Sequence, residues 1–350
     1  MTVCPHKRLQ RLYEAVWRAA GANSETAALV AQSFVEADLM GFDSHGIAML
    51  HRYVEFIEIG WLDPSAEPQI ETESDSTAVI NGNWGFGQLA FHFAMRVAAS
   101  KAQNTGTASV SVKNAGHCGR VGQYPQGVAE KGLIGITMVN NHGAGNMVAP
   151  FGGTERRLST NPLAVAIPYR DGQPILLDMT TSVVAERKIK LKNLNGESVP
   201  AGWFITRDGN TPTDPSEFYG DPPGALLPFG GDVGYKGFGL SLVVDILSGA
   251  LSGAGCSNPD ASRVGNAGFG IAIDPSRFAP GSADWIEGLI RYVKSSATLG
   301  EASEIYYPGE LEQCTRKRRL EEGVPVSDDV LCLVAEALTQ LDLPQDLIVA

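Results

Sequence analysis

Strand and helix signals alternate along most of this chain, yet no loop between them carries a phosphate-binding fingerprint. Strand-like runs fall at 77–80, 107–112, 134–139, 163–167, 175–177 and 268–273. Helical periodicity fills 89–102, 121–130, 181–191, 236–251 and 285–293. Such alternation predicts an α/β class, or the related α+β class if the strands run mostly antiparallel. The familiar dinucleotide-binding turn needs three glycines at fixed spacing between a strand and a helix. Gly116, Gly119 and Gly122 have the wrong spacing, and Gly143 and Gly145 lack a third partner. Gly237 and Gly239 open a helix, but Leu242 stands where a small residue is needed. A nucleotide bound here would be held by other means.

Helices flank the alternating part. Leu9, Leu12, Tyr13, Val16 and Trp17 recur at helical spacing, and Gly21 closes that segment. A second helix runs from Ser24-Glu25 to Gly41. A third is predicted to begin at Asp43-Ser44, with Ile47, Leu50, Val54 and Ile57 inward and Gly60 as its stop. Val330, Leu331, Val334, Leu338 and Leu341 mark an amphipathic helix near the C-terminus. Residues 200–228 are rich in Gly, Pro and Asp and read as a long excursion or lid.

Composition removes several functions. No apolar run is long enough to cross a membrane. A net charge of −12 disfavours nucleic acid and anionic membranes as partners. The cysteines, at 4, 118, 256, 314 and 332, form no CxxC or Cys/His cluster. Neither a disulfide framework nor a metal site is expected. With no leader-like start, the expectation is a cytoplasmic, metal-free protein. The 40 glycines among 350 residues make 11%, against a usual share of about 7%. Excess glycine suits loops that approach a ligand closely.

Five segments concentrate polar chemistry. In the first, Asp43 or Ser44 would cap the third helix and put His45 in its first turn, near the positive end of the dipole. Met49, Arg52 and Tyr53 would share its face. A capped helix with a surface histidine is the plain alternative. In the second, His117 follows a strand in a loop crowded with glycine, either as an acid/base or as a turn histidine bonded to backbone. The third runs from Asn140-Asn141-His142-Gly143 to Thr160-Asn161-Pro162, where backbone amides can face a phosphate or carboxamide, or simply make turns. The fourth, Asp178-Met179-Thr180-Thr181-Ser182, lies where a strand meets a helix. The fifth puts Tyr235 and Lys236 at the start of an apolar helix, where ammonium and amides can hold phosphate. Each is weak alone.

Taken in order, these segments resemble the malate/L-lactate dehydrogenase family, whose members do not use a Rossmann fold. That family includes ureidoglycolate and sulfolactate dehydrogenases and diketogulonate and piperideine-2-carboxylate reductases. The resemblance runs from Ser44-His45-Gly46 with Tyr53, through Asn114…His117…Gly119, Thr160-Asn161-Pro162 and Leu177-Asp178-Met179…Ser182. It continues to Gly234-Tyr235-Lys236-Gly237 and Tyr307-Pro308-Gly309-Glu310. It implies a sulfolactate-dehydrogenase-like fold, with a largely antiparallel nucleotide domain and a helical lobe built from both termini. The implied divisions are a helical lobe (1–70), a substrate or core segment (71–118), an NAD(P)-binding domain (119–295) and a returning segment (296–350). It also implies a homodimer that uses NADP(H) or NAD(H), NADPH slightly preferred. Ser44, His45 and His117 would be catalytic. Met49, Arg52, Tyr53 and Asn141 would meet substrate. Thr160, Asn161, Asp178, Met179, Thr180, Ser182, Tyr235, Lys236, Gly309 and Glu310 would meet the cofactor.

Two departures stand out. Met49 occupies the place of an arginine that binds the substrate carboxylate in relatives, and methionine cannot do that. Either Arg52 reaches in, or the anion sits elsewhere, or the substrate is more apolar, such as a cyclic imine or ketone. Pyruvate and oxaloacetate are then expected to be poor substrates. Arg187 replaces a usual glycine and is expected to be solvated. His51 and His142 are further candidates for lost polar function. The run Arg316–Arg319 is expected to pair with Glu321 and Glu322. The reading is a reductase of a C=O or C=N group. The alternatives are an ordinary 2-hydroxy acid dehydrogenase and a cofactor-binding protein without turnover. A Ser44/His45 hydrolase is disfavoured, because adjacent helical residues point apart.

Overall fold

The computed structural model describes residues 2–142, 145–261, 263–300 and 303–349. The chain begins with β1 (Thr2–Cys4), α1 (His6–Ala19), α2 (Ser24–Leu39) and α3 (Leu50–Glu58). Then come β2 (Gln69–Glu73), β3 (Thr77–Asn81), α4 (Gly87–Thr105), β4 (Thr107–Ala115) and α5 (Gln123–Ala129). These are followed by β5 (Ile134–Asn140), β6 (Leu163–Ile167), β7 (Ile175–Met179) and α6 (Glu186–Leu194). Short β8 (Phe204–Ile205) and β9 (Ala225–Leu226) precede α7 (Tyr235–Asp245), β10 (Asn266–Ile273) and α8 (Ser282–Lys294). The chain closes with α9 (Glu310–Glu322), β11 (Val324–Val326), α10 (Asp328–Gln340) and α11 (Asp346–Val349).

The described residues form a seven-stranded sheet in the order β2-β3-β4-β10-β5-β6-β7. Neighbours run antiparallel except β3 and β4, which α4 joins as a crossover. Two glycines in β10 let α4 lie on the sheet. A Cβ at Gly268 would come within 2.3 Å of Phe91, and one at Gly270 within 2.3 Å of Met95 Sδ. The helical lobe draws on both ends of the chain, as expected. Tyr13, Trp17, Phe34 and Tyr53 pack in one core with Val334 and Leu338, while β1 pairs with β11.

Four local readings change. The third helix does not start at Asp43. Two 3-10 turns, Asp43–His45 and Ile47–Met49, precede α3, with Gly46 between them at φ −103°, ψ −130°. His45 is therefore not in the first turn of an α-helix, and neither Asp43 nor Ser44 acts as a side-chain cap. The helix read at 181–191 starts five residues later, at Glu186. Thr181 and Val183 instead lie in a bent segment, donating to Thr160 O and Leu227 O, with Ser182 bridged to Pro228. Residues 200–228 are no loose lid, because Phe204, Phe218 and Leu226 are buried in their own cluster. The helix from Tyr235 ends at Asp245, and a π-turn follows. Helix α9 and strands β1, β2 and β11 were not legible at all, being short, charged or polar.

Candidate active site

A cavity of about 650 Å³ opens beside the Asp43–Met49 turns. Ser44, His45 and His117 line one side of it, and Asn141 and Thr160 another. Asp178, Met179, Thr180 and Ser182 extend along the end of β7. Nine of the expected site residues thus share one cavity.

The His45 turn is held from beneath. Asp38, fully buried on α2, accepts from Ile47 N–H at 2.9 Å and from the Tyr13 hydroxyl. A Cβ on Gly46 would lie 1.8 Å from Asp38 Oδ1, so only glycine fits there. Burial raises the Asp38 carboxyl to about 7. From the other end of the chain, Arg319 on α9 donates to Asp38 O and to both carboxylate oxygens of Asp43. Arg316 pairs with Glu36 through two hydrogen bonds. The basic run therefore ties α9 to the N-terminal lobe, and the expected pairing with Glu321 and Glu322 is not formed.

The two histidines face each other with ring centroids 6.0 Å apart and planes tilted by 22°. Ser44 Oγ is 2.9 Å from His45 Nδ1. The argument that adjacent residues point apart fails here, because this turn is not α-helical. His117 Nδ1 accepts from Gly119 N–H at 3.2 Å, so the neutral ring carries its proton on Nε2. Tyr53 Oη lies 2.8 Å from the same Nδ1 and donates to His117 O, while Gln88 Nε2 donates to Tyr53. Burial and the positive field of Arg187 and Arg120 lower His45 to about 4. Burial, then the neighbouring His45, lowers His117 to about 3. Both rings are neutral near pH 7. The helix dipole inferred from sequence is not the cause.

Several expected contacts lie elsewhere. Tyr53 is buried behind His117 and does not line the cavity. Arg52 is exposed, pairs with Glu55 and stacks over Phe56, so it does not reach in. His142 packs on Trp84, and His51 lies outside the cavity. Asn161, at φ +36°, is buried and donates to Ser241 O and Oγ. Tyr235 and Lys236 are exposed at the start of α7, one layer behind Phe229, which does line the cavity. Gly309 starts α9 at φ +91°, and Glu310 pairs with Lys294. Gly143 lies outside the described residues.

Sequence reasoning missed Arg120, Lys188 and Glu312, all of which line the cavity beside Asn140 of the third polar segment. Arg120 is 3% exposed, and its Nη1 has no hydrogen-bond partner. Asp178 Oδ2 accepts from Gly122 N–H at 2.9 Å and lies 3.9 Å from Arg120. Asn266 Oδ1 accepts from Cys118 N–H and its Nδ2 donates to Asn140 O, fixing the His117 loop to β5. An arginine inside a glycine-rich loop was the available signal. Arg187 is not solvated. Its Nη2 donates to Ala48 O at 2.8 Å, and its Nη1 lies 3.5 Å from Met49 Sδ.

These residues suit a nicotinamide cofactor. The cavity has the size of a small-molecule site. Asp178, Thr180 and Asn141 offer polar atoms for a carboxamide, and Arg120 offers a buried, unpartnered N–H.

Comparison with known proteins agrees. The family model for malate/L-lactate dehydrogenase matches residues 4–334. The malate dehydrogenase of Pyrococcus horikoshii is 40% identical over 93% of this chain and 92% of that one. The solved sulfolactate dehydrogenase of Methanocaldococcus jannaschii superposes with a TM-score of 0.88 at 32% identity, covering 100% of both chains. The delta1-piperideine-2-carboxylate reductase of Pseudomonas syringae pvar. tomato superposes with a TM-score of 0.84 at 27% identity, over 96% of this chain and 100% of that one. The fold, the order of the motifs and the cavity they surround lead to one conclusion: the chain belongs to the malate/L-lactate dehydrogenase family of NAD(P)-dependent oxidoreductases.

Proposed function

We propose that this enzyme reduces a C=O or C=N group of a small substrate at the His45/His117 pair. The observation that carries the reading is the unequal bonding of the two rings. His117 is held in one tautomer by Gly119 N–H, so it serves as a fixed Nε2–H donor that orients the reacting heteroatom. His45 shares its Nδ1 with a hydroxyl that can donate or accept, so it can change protonation state. We therefore assign His45 as the acid/base and Ser44 as its relay. When bound, the nicotinamide supplies or takes up the hydride. In the reduction direction His45 would give a proton to the heteroatom as negative charge develops there, while its Nδ1 takes one up from solvent through the Ser44 hydroxyl. In the reverse direction its neutral ring, with a pKa of about 4, is ready to accept the alcohol proton.

Asn141 meets substrate, and Thr160, Asp178, Met179, Thr180 and Ser182 meet the cofactor. Asn161, Tyr235, Lys236, Gly309 and Glu310 shape the surrounding loops. NADPH is preferred slightly over NADH, supported by the exposed Lys188 at the cavity, which makes no ion pair among the described residues. The working divisions remain 1–70, 71–118, 119–295 and 296–350. The boundary at 118/119 crosses one continuous sheet, so it separates roles and not packing units. A homodimer is supported by exposed Val243, Ile246 and Leu251 around the end of α7. Free thiols at all five cysteines fit a cytoplasmic setting.

The substrate is atypical for the family, because Met49 presents no charge. A second reading, an ordinary 2-hydroxy acid dehydrogenase, is favoured by the Arg187 guanidinium beside Met49. One assay series separates them. NAD(P)H binding is followed by fluorescence, then turnover by nicotinamide absorbance with ketones, cyclic imines and 2-oxo acids. Efficient reduction of pyruvate or oxaloacetate sinks the atypical reading. Cofactor binding with no turnover on any substrate favours a binding protein. His45→Ala is expected to bind cofactor normally while losing turnover by 10²-fold or more, roughly the scale of general acid–base catalysis.

A further inference from the structure

Arg187 is anchored on one lobe and directed at the other. It sits in the first turn of α6, and Val184, Ala185 and Lys188 on either side of it line the cavity. Its guanidinium crosses to the Ile47–Met49 turn, where it donates to Ala48 O and touches the Met49 thioether. That is one turn from His45, whose ring feels its charge.

A guanidinium has five N–H donors. Here one serves a backbone carbonyl and one points at a sulfur, a weak acceptor. Among the described residues no carboxylate lies within ion-pair distance of Arg187. Its neighbour Glu186 instead accepts from the Tyr219 hydroxyl. The group is half-buried and charged, has no ion pair among the described residues, and lies just outside the cavity lining, close enough for its charge to act on His45. A forked cation in that state is a receptor for a carboxylate.

We propose that Arg187 binds the carboxylate of the substrate. The arginine is supplied from α6 because position 49 holds a methionine. The Met49 sulfur and the Ala48 carbonyl each take one N–H of the guanidinium and so fix its plane. The outward N–H groups then hold the anion between the two lobes. This rests on the proposed reaction at His45 and His117, and it refines the substrate to a molecule that carries a carboxylate. It also relocates the anion site from the helical lobe to the sheet side. The distance from anion to reacting carbon then differs from that set by an arginine at position 49, consistent with poor use of the smallest 2-oxo acids.

The test uses full-length protein saturated with NADH or NADPH, probed by calorimetry with oxamate and with its uncharged counterpart oxamide. Arg187→Gln keeps an amide donor for Ala48 O but loses the charge. Wild type is expected to bind oxamate more tightly than oxamide. In Arg187→Gln oxamate binding should weaken about thirtyfold, the scale of a charge-assisted pair, while oxamide binding stays within twofold. Arg187→Lys should fall between, since it keeps charge without the fork. Steady-state assays of the same variants should raise KM for carboxylate substrates far more than they lower kcat for an uncharged ketone. Oxamate binding unchanged in Arg187→Gln overturns the proposal, as does equal loss of oxamate and oxamide, which would mark a purely structural tether. Wild type that binds oxamate selectively yet reduces no ketone or imine overturns the reaction assigned above and leaves the anion role standing.

Discussion

At the scale of single residues, sequence motifs point to groups that the structure gathers around one cavity, and misjudge how some are held. His45 and His117 were picked out, and the structure sets their rings 6.0 Å apart. Burial lowers both pKa values, helped at His45 by two guanidinium fields and at His117 by the neighbouring His45, which no local pattern reveals. The sequence puts a missing charge inside the pocket at Met49, yet Met49 is not among the residues that line the cavity. The structure instead shows a guanidinium already lying against its sulfur. Met49→Arg alone would therefore force two cations together. About 1 kcal/mol of destabilisation is expected for like charges in contact near water. A urea midpoint that falls for Met49→Arg but recovers in Met49→Arg/Arg187→Gly checks this. Equal stability of the two variants would contradict it.

At the scale of elements, the decisive unit is the pair of 3-10 turns across Asp43–Met49. Helical periodicity of Ile47, Leu50 and Val54 suggested one continuous helix. The break falls at Gly46, whose neighbour Ile47 gives its N–H to the buried Asp38 and not to a helical carbonyl, which periodicity cannot register. Asp38 has a folded-state pKa of about 7 against 3.8 when exposed. Between those values the folded state holds a proton that the unfolded chain has released. Stability from this group is thus fully present below pH 3.8, falls as pH rises toward 7, and is constant above. Asparagine mimics the protonated form, accepting from Ile47 N–H and donating to Tyr13. The stability of wild type relative to Asp38→Asn should therefore fall with rising pH by up to about 1.4 kcal/mol per unit in that window. Parallel pH dependences of the two proteins, measured by urea unfolding, would refute it. The start of α6 teaches the same lesson. Thr181–Val184 fit a helical pattern by composition, but backbone bonds to Thr160 and Leu227 hold them out of the helix.

At the scale of the whole molecule, the two ends of the chain meet beneath the active site. Arg319 on α9 binds Asp43 and the Asp38 carbonyl, 276 and 281 residues away. The buried fork makes α9 part of the support for Ser44 and His45. Arg319→Lys keeps the charge but cannot bridge both partners. A loss of about 2 kcal/mol in stability is expected from broken charged hydrogen bonds. A drop in kcat with unchanged cofactor affinity should accompany it, read by thermal unfolding and steady-state kinetics. Unaltered kcat would mean that α9 only packs. The amino-acid sequence by itself determined the alternation of elements, the helices near both ends of the chain, the absence of a standard phosphate loop and the ordered motifs. Those properties follow from local periodicity, glycine placement and residue type. Tertiary structure alone decided which charges lie near the candidate site. Arg187 reaches Met49 from 138 residues away, Arg319 reaches Asp43, and Arg52 turns outward. The reason is physical: side-chain direction and the pairing of distant charges depend on how the lobes pack, and spacing along the chain carries no record of that.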